Sequence, residues 1–267
     1  MIRKDEISIW GGAPVQDNAM LETFIKSSDY SSPSYIKKLK FIFSAICNYA
    51  RSKNKAVKNL EILECGCGTG GITLPLASLG CHVTAFDVDS SALSVISKRI
   101  QEEKLNNVIV IEANGGSFDD GRTYDLVVAS EVLEHVVDPE EFVQRIRARV
   151  NSGSWLVVTI PNGYGPWQLR RRLSIITCLQ RNNRLRRILG KKPYVMGQGH
   201  CQFYTRKRFL KMLSAFSFRL KDFGRSDSIL AVFATRWGSP FGKLDVQLGD
   251  ILPWWLASGW YFVFEAE

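Results

Sequence analysis

From Leu60 onward, short aliphatic runs alternate with longer segments whose apolar positions recur every three or four residues. "LEILEC", "HVTAFD", "NVIVIEAN", "YDLVVAS" and "SWLVVTI" have the length and composition of buried strands. The segments between them, "GITLPLASLG", "SSALSVISKRIQEEK" and "DPEEFVQRIRARV", carry helical spacing, and the second is predicted to open on a Ser cap. Upstream, "PSYIKKLKFIFSAICNYARSK" places Ile36, Leu39, Phe43 and Ile46 on one face, which predicts a helix covering the sheet or the site it carries. Strands and helices alternating at this spacing imply right-handed crossovers and a doubly wound α/β sheet. There is no internal repeat or low-complexity linker.

After the fifth strand the pattern changes. In "GYGPWQLRRRLSIITCLQRNNRLRRILGKKPYVMGQG", Leu169, Leu173 and Ile176 fall on one helical face and Leu185, Ile188 and Leu189 on another, with arginines around them. This predicts a basic helical lid. The expected organisation is an N-terminal helical cap at 1–57, an α/β core at 58–162, the lid insert at 163–198 and the remainder of the α/β core at 199–267.

Charge sharpens that division. The net charge is +9, and between Glu141 and Asp222 there is no acidic residue while 18 of the 35 Lys and Arg lie there. The other 17 face all 26 Asp and Glu, so a basic middle interrupts an otherwise acidic chain. Such a face suits something anionic, such as a phosphorylated substrate, a lipid surface or nucleic acid, and a basic amphipathic lid is what an enzyme acting at a membrane surface would carry. The N-terminus mixes both charge signs, and no apolar run reaches the roughly 18 to 20 residues of a bilayer span. The expected location is cytoplasmic, with peripheral contact at the inner membrane surface. Six dispersed cysteines read as reduced thiols rather than a disulfide framework, and no pair of CxxC units suggests a metal.

The candidate chemistry begins at "LEILECGCGTGG". Its glycines read in two ways: as Gly66-x-Gly68-x-x-Gly71, the dinucleotide fingerprint, or as Glu64-x-Gly66-x-Gly68-x-Gly70. Both place a nucleoside ligand at the carboxyl end of the first strand, where open α/β sheets bind ligands. Position alone does not separate them, but charge does. A pyrophosphate on the helix N-terminus would be repelled by Glu64, whereas a sulfonium and an ammonium group suit a carboxylate there. Asp87, ending the second strand about 20 residues further on, can accept from both ribose hydroxyls in either case.

Further along, "YDLVVASEVLEHVVDPEEFVQRIRARVNSGSWLVVTIPN" resembles the fourth strand, following helix and fifth strand of the class I S-adenosylmethionine-dependent methyltransferases. "EVLEHVVDP" is similar to the small-molecule branch that includes the ubiquinone O-methyltransferases. The resemblance covers Leu60 to Asn162, with a looser match in "GHCQFYTRKRFLKML" and "LASGWYFVF". It implies a mostly parallel, seven-stranded Rossmann-like sheet with the lid as an insert, S-adenosyl-L-methionine as cofactor, and O-methylation of a small-molecule or lipid-linked acceptor. It also implies that Glu64, Gly66, Cys67, Gly68 and Gly70 line the methionine and ribose portions, and that Asp87, with Val88 beside it, holds the ribose. Asn114 and Gly115 fall where the family contacts adenine, and Ser130 and Glu131 where it closes over the methionine end. Two departures stand out: "EANGGSF" lacks the Asp-Ala pair of many members, and no Asn/Asp-Pro-Pro-Tyr follows the fourth strand, which speaks against a nucleic-acid base as acceptor.

Methyl transfer from a sulfonium asks mainly for alignment and exclusion of water, with a base needed only when the acceptor must lose a proton. His135, in the loop after the fourth strand, and His200, in "MGQGHCQF", are the candidate bases; His82, starting a strand, reads as structural. Cys65 and Cys67 read as small residues in a tight loop. The competing readings are a nucleotide-binding protein on the same fold without transfer activity, and a dinucleotide-dependent oxidoreductase.

Overall fold

The computed structural model describes residues 15–28, 32–115, 117–165, 201–228 and 239–267. Seven strands form one sheet: β1 (Glu61–Cys65), β2 (His82–Asp87), β3 (Val108–Glu112), β4 (Tyr124–Ser130), β5 (Val150–Pro161), β6 (Phe218–Arg225) and β7 (Gly259–Ala266). The helices in chain order are α1 (Val15–Lys26), α2 (Pro33–Ser52), α3 (Thr73–Ser78), α4 (Ser90–Glu102), α5 (Pro139–Ala148), α6 (Arg206–Ala215) and α7 (Ser239–Ile251). The strand order is β3-β2-β1-β4-β5-β7-β6. β1 to β5 pair in parallel, and β7 runs antiparallel between β5 and β6. The predicted doubly wound, mostly parallel seven-stranded sheet is therefore present. Its order reverses between β1 and β4, and a ligand crevice opens outside the carboxyl ends of strands at such a switch point.

Local sequence explains where the elements start. α2 begins at Pro33, whose fixed φ and missing N–H suit a first helical turn, and Ser32 Oγ accepts from the Tyr35 N–H at 3.3 Å. α5 begins in the same way, with Pro139 after an Asp138 cap that accepts from Glu141 N at 3.0 Å. α4 corrects one expectation. Its cap is Asp89, which accepts from Ser91 N at 2.9 Å and Ala92 N at 3.3 Å, and Ser90 is already helical. A carboxylate makes charge-assisted bonds and complements the positive end of the helix dipole, so Asp outcompetes the adjacent serine; the Ser91 hydroxyl, then these backbone bonds, hold the Asp89 carboxyl below the usual carboxylate range. α3 is shorter than its apolar run, because a turn with Gly70 at φ +91° occupies the positions before Thr73.

Each face of the sheet carries its own core. On one, α2 buries Leu39, Ile42, Phe43 and Ile46 against Ile62, Val83 and Leu126; of the predicted stripe only Ile36 stays partly exposed. On the other, Phe142, Val143 and Ile146 of α5 and Phe209 and Leu213 of α6 cover Leu63, Val127, Phe262 and Phe264. All the machinery described next sits at the carboxyl edge between these layers. The expected basic lid lies outside the described residues from 166 onward, and so does His200.

Candidate active site

The glycine turn closes directly onto the neighbouring strand. Gly66 and Cys67 donate their N–H groups to Phe86 O at 2.8 and 3.1 Å, and Gly68 N donates to Asp87 Oδ2 at 2.7 Å. The other carboxyl oxygen of Asp87 accepts from Asp89 N at 3.0 Å. The turn and the acidic end of β2 are thus one unit. Gly66 needs its hydrogen twice over: its φ is +70°, and a Cβ would come within 2.7 Å of Val132 Cγ2 in the loop after β4. The glycine turn and the β4 loop therefore face each other across a single atom's width.

Glu64 sits beneath this turn, fully buried, and accepts from Thr73 Oγ1 at 2.5 Å. Burial raises its pKa to about 8, against the opposing pull of the Thr73 hydroxyl. The side chain expected as a carboxylate is therefore a neutral acid near neutral pH, and it bars a pyrophosphate only when ionised. Burial, reinforced by Glu64, also pushes the Cys65 and Cys67 thiols up, so neither is a nucleophile.

Asn114 and Gly115 form the turn after β3, next to Asp87, where Ala113 N donates to Asp87 O at 3.0 Å. Asn114 O accepts from both Ser117 N and Phe118 N at 3.0 Å, leaving the side chain exposed. Gly115 lies flat on Phe142, whose ring a Cβ would penetrate. Val88 is exposed beside Asp87. These residues follow the ends of β2 and β3, the strands next to β1 and its glycine turn.

The β4 end is built with more strain. Glu131 adopts φ +58°, a left-handed conformation that costs a non-glycine residue on the order of 1 kcal/mol or more. Thr159 of β5 holds it there: its carbonyl accepts from Glu131 N at 2.9 Å, and its hydroxyl bonds Glu131 Oε1 at 2.9 Å and Ser130 Oγ at 2.9 Å. Three residues on, Glu134 is 1% exposed and both carboxyl oxygens lack a hydrogen-bond partner among the described residues. Burial, then the Glu131 charge, raises its pKa to about 9. His135 Nε2 lies 3.9 Å from Glu134 Oε1, at the solvent-facing side. Sequence reasoning missed Glu134 and Thr159. For Glu134 the signal was an acid between Leu133 and His135, three residues from Glu131.

Beyond Glu131 a polar cleft of about 230 Å³ opens. Tyr35 and Lys38 of α2 form one wall, and Ser226, Asp227, Ser258 and Tyr261 the other. Ser226 Oγ and Ser258 Oγ are 2.9 Å apart, and Ser258 also donates to the Asp227 carboxylate.

Comparison with known proteins decides between the two readings of the glycine turn. Residues 35–221, most of the chain, match the methyltransferase-domain family. The chain is 31% identical over 111 residues to the ubiquinone biosynthesis O-methyltransferase of Rickettsia akari, covering 41% of this chain and 43% of that protein. It is 30% identical over 131 residues to the mitochondrial ubiquinone biosynthesis O-methyltransferase of Arabidopsis thaliana, covering 47% and 38%. It is also 31% identical over 99 residues to the (S)-tetrahydroprotoberberine N-methyltransferase of Eschscholzia californica, covering 36% and 28%. The chain thus matches less than half the length of these curated relatives. In fold it is similar to the magnesium protoporphyrin IX methyltransferase of Synechocystis with bound SAH (TM-score 0.56, 14% identity, 95% of each chain covered). It is similar as well to an S-adenosylmethionine-dependent methyltransferase of Clostridium acetobutylicum (TM-score 0.54, 11% identity, 94% and 98% covered). The chain belongs to the methyltransferase-domain family and carries the class I, S-adenosylmethionine-dependent fold.

Proposed function

We propose that this chain is an S-adenosylmethionine-dependent methyltransferase that methylates a hydroxyl group on a small-molecule or lipid-linked acceptor. The observation that carries the reading is the position of Glu131. It borders the polar cleft, while its neighbour Val132 packs against Gly66 of the glycine turn. One strained residue thus separates a nucleoside crevice from an acceptor-sized opening.

Bound in the crevice, S-adenosylmethionine would supply a methyl group on a sulfonium. Asp87 would accept from its ribose hydroxyls, exchanging the Gly68 N–H for them in part, and Glu64 would ionise toward its ammonium group. Gly66, Cys67, Gly68 and Gly70 would give their backbone to the methionine and ribose portions. Val88, Asn114 and Gly115 would line the adenine side, and Ser130 with Glu131 the methionine end. On the acceptor side, a hydroxyl would have to lose its proton to take the methyl group. His135 would accept that proton and pass it to solvent from its exposed side, with the Glu134 carboxyl beside it staying neutral. His200 is the alternative base in this reading and lies outside the described residues.

Separate calorimetric titrations with S-adenosylhomocysteine and NAD, followed by incubation of a lipid extract with methyl-labelled donor, test this. Saturable binding of S-adenosylhomocysteine, none of NAD, and label in an organic-soluble product are expected. Binding of NAD alone would replace the reading with an oxidoreductase. Binding without turnover on any extract would leave a nucleotide-binding protein.

A further inference from the structure

α7 turns an apolar stripe outward. Its inner side packs on α2, where Lys37 Nζ donates to Val246 O at 3.1 Å and Asp250 Oδ1 at 2.7 Å, and Asp245 is buried with Ser228. On the outer side Leu244 is 47% and Ile251 77% exposed, with the partly exposed Leu248 between them at helical spacing. The stripe continues past Pro253 into the short turn Trp254–Leu256, where Trp254 is 43% and Trp255 55% exposed. This turn is rigid: Trp254 O accepts from Trp260 Nε1 at 2.9 Å, and Trp255 O accepts from Asn162 Nδ2 at 3.0 Å. Two tryptophans and two large aliphatic residues in one exposed patch form a surface that water alone does not explain.

Cations border the patch. The Arg206 guanidinium lies 5.7 Å from the Trp254 ring centroid, and α6, which it opens, exposes Lys207, Arg208 and Lys211 and contains no acid. Lys243 is exposed on α7 beside Leu244. Asp250, on the same helix, is engaged by Lys37. Indole rings, aliphatic tips and lysines on one edge match the chemistry of a headgroup–acyl boundary. Among the described residues no helix is long and apolar enough to cross a membrane, so contact there would be from one side.

We propose that the outer face of α7, the Trp254–Trp255 turn and the exposed cations of α6 form a docking surface for an anionic lipid bilayer. The turn leads directly into Ser258 and Gly259, which line the polar cleft. Docking therefore sets the cleft beside the lipid surface, a consequence that rests on reading the cleft as the acceptor site.

Co-sedimentation of the full chain with vesicles of equal parts phosphatidylcholine and phosphatidylglycerol, and of phosphatidylcholine alone, tests the surface across a salt series. Binding to the anionic vesicles that weakens with salt is expected. Joint Ile251→Ser and Trp255→Ser substitution lowers the partition coefficient about tenfold or more, from lost apolar burial. Joint Lys207→Glu and Lys211→Glu substitution removes chiefly the salt-sensitive part. S-adenosylhomocysteine affinity, unchanged in both variants, verifies the fold. The proposal is overturned if wild type binds no vesicle, or if the apolar variant partitions equally. It is also overturned if sedimentation velocity shows a wild-type dimer that the apolar variant dissociates, which would assign the face to a second copy. Labelled methyl transfer to the lipid extract used above, measured alongside, separates the two readings. Turnover without vesicle binding removes docking alone, and vesicle binding without turnover on any extract removes the methyl-transfer reading alone.

Discussion

The glycine turn and the polar cleft lie on either side of Glu131, yet they are held together by different means. The glycine turn closes onto β2, Gly66 and Cys67 through their N–H groups to Phe86 O and Gly68 through its N–H to the Asp87 carboxylate. The cleft is tied by side chains that reach across the sequence. Lys37 spans to Ser226 O at 3.0 Å and to α7, and Asn162 spans to Trp255 O and Ala257 O at 3.0 Å. A unit fixed by backbone geometry tolerates little change of sequence, whereas one fixed by long-range side-chain clamps can be re-lined residue by residue. That difference is the expected division between a common donor and a variable acceptor.

The sharpest test of the division is His135→Ala. For a hydroxyl acceptor, turnover should fall about 10²-fold or more while S-adenosylhomocysteine affinity stays at the wild-type value. Steady-state rates with calorimetry on the same preparation read both. Loss of cofactor affinity in this variant would mean that the two sides are not separable.

Asp87→Ala should act on the other side only. Losing hydrogen bonds to a charged group should weaken S-adenosylhomocysteine binding by about 1.5 to 3 kcal/mol, with the KM for acceptor unchanged. Unaltered affinity in a folded variant would remove Asp87 from the crevice.

The smallest effect is a pH dependence confined to the donor side. The Glu64 pKa of about 8 means that below this pH a cationic ligand must displace a proton. Affinity should therefore fall as pH falls, by at most about tenfold per unit. Glu64→Gln should flatten the profile. The sign for folding is opposite: a carboxyl whose pKa is raised binds more protons folded than unfolded, so stability in the absence of ligand declines as pH rises from about 4.5 to about 8. Thermal melts across that range, with Glu64→Gln as reference, measure it.

The same division explains what could be read in the sequence. Apolar runs and glycines report local geometry, so β1 to β5, the turn and Asp87 were legible from spacing. Ser130 and Glu131 were legible through family resemblance, but Thr159, which fixes both, lies 28 residues beyond Glu131 on a strand that shows only its apolar character. Glu134 is hidden for a related reason. An acid reads as solvated, and only three-dimensional packing buries this one beside a second carboxyl. The helix expected to open on a Ser cap opens on Asp89 instead, where a charge outweighs the neighbouring hydroxyl. The cleft escaped altogether, because its walls come from residues near 35, 131, 226 and 258.

β7 lies between β5 and β6 although it is the last strand in sequence, pairing Trp155–Pro161 on one side and Phe218–Arg225 on the other. A chain emerging from the ribosome therefore carries β5 with an unpaired edge until β7, which begins at Gly259, has been made. Until Gly259–Ala266 arrives, Leu156, Val158 and Ile160 sit beside an open row of N–H and C=O groups, the arrangement most prone to pairing with another chain. Completion of the sheet is thus a late, long-range closure. It exposes the newly made protein to aggregation for longer than its mostly parallel half would, and gives chaperones a defined target in the edge of β5.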